Sequence, residues 1–137
     1  MSDTKKIGII VFDGLLTSEI IAPAEVFGIA IDHDWFDGWS YELISVETSN
    51  TIKTHEGICI VADSNIEQDG WYDVLIVPGA YEMEHLFNNV KLDAFIKKHE
   101  QAEAWLSSNC SGAFLLASSG VLDGKRATTW YGGEESL

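Results

Sequence analysis

The sequence predicts an α/β domain built on a doubly wound, mostly parallel sheet with helices on both faces. Three unbroken apolar runs supply the central strands, and each ends in small or polar residues that turn the chain. The stretches between them carry helical spacing or helix punctuation, and strands alternating with helices at short intervals are what such a sheet requires. With 137 residues and 46% hydrophobic content, the chain is read as one domain, residues 1–137, long enough to bury a core.

In chain order, "KIGIIVF" (residues 6–12) is an apolar run stopped by Asp-Gly, as expected of a strand buried on both faces. "LLTSEIIAPAEVFGIAI" (15–31) reads as a loop entering a helix, with Ser18 placed to cap a first turn and Pro23 suited to the first turn of the main helix. "WSYELISVET" (39–48) alternates and is a strand, and "TIKTHEGICIVAD" (51–63) supplies one or two short extended pieces. "YDVLIVPGA" (72–80) is a second buried strand with a Pro-Gly loop at its C-terminal end. "VKLDAFIKKHE" (90–100) sets Leu92, Phe95, Ile96 and His99 at helical spacing, an amphipathic helix. "AEAWLSSN" (102–109) is a third buried strand, and "SGAFLLASSG" (111–120) a helix stopped at Gly120.

Sheets of this kind bind ligands at the C-terminal ends of their central strands. Three such ends carry suggestive residues: "FDGLLTSE", "VPGAYE" and "SSNCSG". The last has the ingredients of a nucleophile elbow. Cys110 stands between a strand and a helix, and Gly112 and Ala113 are small enough to let the two approach closely. A helix N-terminus following the cysteine offers backbone N–H groups and partial positive charge, conditions that favour a thiolate and supply an oxyanion site. Buried free cysteines are also common and inert, so the pattern alone leaves nucleophile and small core residue both open. Cys59, with no turn built around it, reads as a core residue, and the five tryptophans read mostly as packing.

Composition excludes several classes. A formal net charge of −14 repels phosphate backbones, which argues against nucleic-acid binding. Two distant cysteines make neither a disulfide framework nor a metal cluster, and they suit a reducing compartment. The N-terminal apolar run is too short for a signal peptide, and no stretch reaches membrane-spanning length, so a cytoplasmic location is expected. "DHDWFDG" and "DGWYD" lack calcium-loop spacing, and no phosphate loop or dinucleotide fingerprint is present. No metal or cofactor is expected.

The combination of "FDGLLTSEIIAPAEVFG" (12–28), "VPGA" (77–80) and "NCSGAFLLASSGVLDGKRATT" (109–129) resembles the ThiJ/PfpI family, within the class I glutamine amidotransferase-like superfamily. The resemblance covers essentially the whole chain. It is closest to the branch holding isonitrile hydratases and the amidase-like domains of AraC-type transcription regulators. The cysteine elbow followed by G-x-L-x-G-x-x-A-T-T is its most specific part. The resemblance implies a flavodoxin-like fold, a homodimer and a cofactor-free site for a small-molecule electrophile. Because relatives continue with a further strand and helix, it also implies a domain shortened at its C-terminal side.

Residue by residue, the resemblance makes Cys110 the elbow nucleophile and Glu19 the acid that reaches it from the first strand–helix loop, where isonitrile hydratases have aspartate. Gly79 and Ala80 match the Pro-Gly-Gly loop whose amides help form the oxyanion pocket, with alanine as the second small residue. Ser111 occupies a position usually held by a small or hydroxyl residue. A carboxylate and a thiolate in contact repel, so Glu19 is expected to hold a proton for the sulfur. After "ATT", many relatives have a histidine that serves as base, whereas this chain has Trp130, expected to wall the pocket. His33, His55, His85 and His99 do not obviously replace that base. The implied function is therefore hydratase- or lyase-like thiolate addition, with peptidase activity disfavoured. The alternatives are a ligand-binding domain without turnover, or a thiol-redox sensor.

Overall fold

The computed structural model describes residues 4–137; residues 1–3, the start of the N-terminal stretch weighed above as a leader, lie outside it. Strands β1 (Lys5–Val11), β2 (Trp39–Ser45), β5 (Ser64–Asn65), β6 (Val74–Val77) and β7 (Trp105–Ser108) form one sheet in the order β5-β2-β1-β6-β7. Every pairing in it is parallel. The chain moves one way from β1 to β2 and the other way from β6 to β7. Right-handed crossovers then put helix α1 (Thr17–Asp32) and helix α2 (Val90–Gln101) on opposite faces of the sheet. The α/β, doubly wound architecture is the one the apolar runs predict. Ile7, Ile9, Ile10, Val11 and Phe12 are all buried, which is why β1 reads as continuous rather than alternating.

A separate antiparallel ribbon, β3 (Thr51–Lys53) with β4 (Cys59–Val61), pairs Ile52 with Ile60 and Lys53 with Cys59. Ile52 faces the core while its neighbours on the ribbon face outward, so Cys59 is exposed and not the core residue expected. Successive residues on a strand alternate faces, and Cys59 is one residue out of phase with Ile60. Three tryptophans also depart from the packing expected of them: Trp35, Trp71 and Trp105 are exposed. Trp105 stands on β7, which is not the buried strand expected but the edge of the sheet, with none of its four residues buried because one side has no neighbouring strand to pack against it.

Helix α1 differs in two ways from its sequence reading. Ser18 is no cap. The first helical residue, Thr17, instead gives both its N–H (3.1 Å) and its hydroxyl (2.7 Å) to the carboxylate of Glu56, which follows β3. The Thr17 hydroxyl bond is the main reason the Glu56 carboxyl titrates at about 2. A carboxylate there also complements the positive helix end. Pro23 lies inside the helix rather than in its first turn. Proline lacks an N–H and therefore frees the carbonyl four residues earlier, here that of Glu19.

His99 sits fully buried on α2 with both ring nitrogens satisfied. Its Nε2 accepts the Tyr72 N–H (3.2 Å), its Nδ1 lies 2.7 Å from the Phe95 carbonyl, and Trp71 stacks on its face at 4.8 Å. These contacts define the Nδ1–H neutral tautomer. Burial holds its pKa below the usual histidine value of 6.5, outweighing the Phe95 bond. The unfolded chain then takes up a proton near pH 6.5 that the folded chain refuses. Stability is constant above that pH and falls on acidification toward the folded value. In urea titrations between pH 7 and 5 the wild type should lose stability, while His99→Leu should start about 1–3 kcal/mol lower, with Tyr72 N–H unpaired, and show a flatter profile. Parallel profiles would mean that His99 is not the group responsible.

Candidate functional site

Three chain segments meet at the C-terminal ends of β1, β6 and β7. The residue following β7 and Asn109 is Cys110, and it takes a left-handed backbone, φ +51°, with its side chain exposed. A tight turn at Cys110–Gly112 leads straight into helix α3 (Ala113–Ser118). A Cβ on Gly112 would lie 2.0 Å from the Val77 carbonyl oxygen, so only glycine lets this turn press onto β6. A Cβ on Gly79 would likewise meet Ser111 Oγ at 2.7 Å and Ser111 N at 2.8 Å.

Ser111 fastens the turn to the loop after β6. Its buried hydroxyl accepts the Ala80 N–H (3.0 Å) and lies 2.8 Å from the Ala80 carbonyl and 3.1 Å from Met83 Sδ. The Gly79 N–H points at Glu19 Oε2, 3.5 Å away. Both amides read from sequence as oxyanion donors therefore have side-chain acceptors in this structure. That arises because the loop and the elbow pack together so closely that each satisfies the other's buried polar groups.

Among the described residues no hydrogen bond joins the Glu19 carboxyl to Cys110 Sγ. Its Oε2 accepts instead from Asn109 Nδ2 as well as from Gly79. The same Nδ2 donates to the Glu19 main-chain oxygen at 3.1 Å, the carbonyl that Pro23 leaves without a helical donor. Asn109, the residue before Cys110, thus grips Glu19 at two points, and Pro23, four residues after Glu19 and seventh in the helix, makes one of them available. Asn109 Oδ1 is buried without a partner. Asn109 was not singled out from the sequence, although Pro23 four positions after Glu19 was visible there as a signal for an unfilled carbonyl.

Cys110 opens into a cleft of about 440 Å³. Leu16, Met83, Phe87, Phe114 and Trp130 give it apolar walls, and Glu84, Ser111 and Ser136 add polar edges. Trp130 lines the cleft, and the residue before it holds the Cys110 backbone, with Thr129 Oγ1 donating to the Cys110 carbonyl at 2.9 Å. No histidine among the described residues lines this cleft. His55 packs edge-on against the ring of Tyr81, itself a lining residue. Glu19 and Asn109 line a different hollow, bounded by α1 and β7. Among the described residues no group of three or more potential ligands could hold a metal ion, and no helix is long and apolar enough to cross a membrane.

Known proteins resemble this chain in sequence or in fold. An uncharacterized protein of Streptomyces lividans is 30% identical over 92% of this chain and 87% of its own length. The isonitrile hydratase of Pseudomonas putida is 27% identical over 92% of this chain, which spans only 52% of that enzyme. The oxidized DJ-1 of Toxoplasma gondii superposes with a TM-score of 0.83 over 97% of this chain and 71% of its own, at 20% identity, a likeness of fold. The sequence matches the DJ-1/PfpI family over residues 5–137, and with the elbow, its glycine and the parallel sheet in place, the chain belongs to that family.

Proposed function

We propose that the chain is a cofactor-free cysteine-nucleophile enzyme of isonitrile-hydratase type. The observation that carries this reading is Cys110 itself, exposed and left-handed at the head of a strand, facing a cleft with an indole where a base histidine would serve peptide hydrolysis. The Cys110 thiolate adds to the terminal carbon of an isonitrile, forming an S–C bond while that carbon takes a proton, to give a thioimidate. Water then adds to the same carbon, sulfur leaves, and an N-substituted formamide departs. No amine has to be expelled, so the step that imidazole assists in peptidases is not needed. Glu19 is the proton source for the isonitrile carbon in this scheme, yet its carboxyl is engaged by Asn109 and Gly79. That engagement of Glu19 favours a second reading, in which the elbow binds or senses an electrophile or oxidant without turnover.

Incubating the purified protein with an alkyl isonitrile and quantifying the formamide separates the two. Wild type should produce formamide. Glu19→Gln retains an amide oxygen for Asn109 and Gly79, so it should keep its fold while turnover falls about 10²-fold or more, the usual share of a general acid. A stable Glu19→Gln with full activity would remove the acid role. No formamide from any isonitrile, with Cys110 still readily alkylated, would leave the sensor reading. Cys110-dependent cleavage of a fluorogenic peptide would overturn the proposal.

A further inference from the structure

We infer that the Cys110 cleft selects uncharged electrophiles bearing a flat apolar substituent and rejects anionic ones, with Phe114 and Trp130 setting the first preference and Glu84 the second. This inference rests on the reading of Cys110 as the nucleophile. Its basis is what the walls leave available to a ligand. Aliphatic and aromatic side chains form most of the lining, and the Trp130 ring is about half exposed (48%), so an aromatic face is open to stacking. Two polar groups of the lining are already spent, since the Ser111 hydroxyl accepts the Ala80 N–H and donates to the Ala80 carbonyl. A strongly polar substrate would find few donors to replace its water, and its desolvation would go uncompensated.

Charge works the same way. The lining holds one carboxylate, Glu84, and no lysine, arginine or histidine. Glu84 Oε2 is oriented by the Met83 N–H at 3.0 Å. An anionic reagent would meet that carboxylate with no cation on the wall to offset it, inside a protein whose net charge of −14 repels it from a distance.

Matched haloacetyl reagents test this without requiring turnover. In each, sulfur displaces iodide: the S–C bond forms, the C–I bond breaks, iodide leaves and the thiol proton goes to solvent. Cys59, also exposed, provides an internal control in the same molecule when labelling is followed by peptide mass spectrometry. The ratio of iodoacetamide to iodoacetate rates should be about tenfold or more higher at Cys110 than at Cys59, and Glu84→Gln should lower it. N-benzyl-iodoacetamide should label Cys110 faster than N-methyl-iodoacetamide. Phe114→Ala and Trp130→Ala should erase that advantage while leaving the Cys59 rates unchanged. Trp130, being half exposed, can be truncated without opening the core, so that arm stands even if Phe114→Ala unfolds. A fast Cys110 with the same ratios as Cys59 would overturn this selectivity and leave the nucleophile reading intact. A Cys110 that resists every reagent while Cys59 reacts would overturn both.

Discussion

Gly112→Ala should destabilise the protein by at least about 3 kcal/mol, enough to leave much of it unfolded. The methyl group would sit 2.0 Å from the Val77 carbonyl oxygen and 2.9 Å from that of Pro78. Both are backbone atoms of β6 and its exit. Val77 is fully buried, and β6 is held between β1 and β7. The elbow would have to lift off the sheet, pulling Ser111 from Ala80 and Asn109 from Val77, whose carbonyl accepts the Asn109 N–H at 3.2 Å. Urea unfolding of the variant beside Gly124→Ala makes the comparison, because a Cβ on Gly124 meets nothing within 4 Å and bears only the strain of its φ of +72°. Gly124→Ala should lose about 1 kcal/mol. If Gly112→Ala lost no more than that, the elbow would not be packed on β6 as described.

The same close packing explains how much of the fold could be read from sequence. β7, read as a third buried strand, is the sheet edge with no buried residue, whereas β1 and β6 were legible because burial of the central sheet demands apolar runs, and the elbow was legible because close approach demands Gly112 and Ala113. Those are requirements on single residues or short runs, and sequence displays them directly. Cys59 was misread because a three-residue strand carries too few alternations to reveal its phase. Pro23 was misplaced because a proline inside a helix is tolerated only when something else takes the freed carbonyl, and that partner, Asn109, is 86 residues away. The Thr17–Glu56 cap is invisible for the same reason, since Ser18 is the local candidate and Glu56 arrives only through the β3–β4 ribbon. At the site, Ala80, Cys110, Ser111 and Trp130 share one cleft while Glu19 lines another hollow, and the pairing of Glu19 was not legible. Glu19 and Cys110 both reach the strand ends, yet the carboxyl is turned to Asn109 and Gly79, a choice among neighbours that only the packed structure makes.

Cys110→Gly should be more stable than Cys110→Ala by about 1 kcal/mol, while both variants should show none of the formamide production proposed for wild type. A residue with a Cβ at φ +51° carries left-handed strain of about 1–2 kcal/mol, which alanine keeps and glycine sheds. The greater entropy of glycine in the unfolded chain offsets part of that gain, leaving the smaller net difference. The strain persists because its surroundings hold it. Gly112 fixes the turn against β6, the Ser111 hydroxyl fixes it to Ala80, and Thr129 holds the Cys110 carbonyl. Three constraints converging on one strained cysteine, which is exposed rather than buried, are expected where backbone geometry serves to aim a side chain. Thermal melts of the two variants beside wild type measure the strain, and the isonitrile assay measures its use. If Cys110→Ala proved as stable as Cys110→Gly, the left-handed turn would not be imposed on this residue, and the case for a deliberately presented sulfur would fall with it.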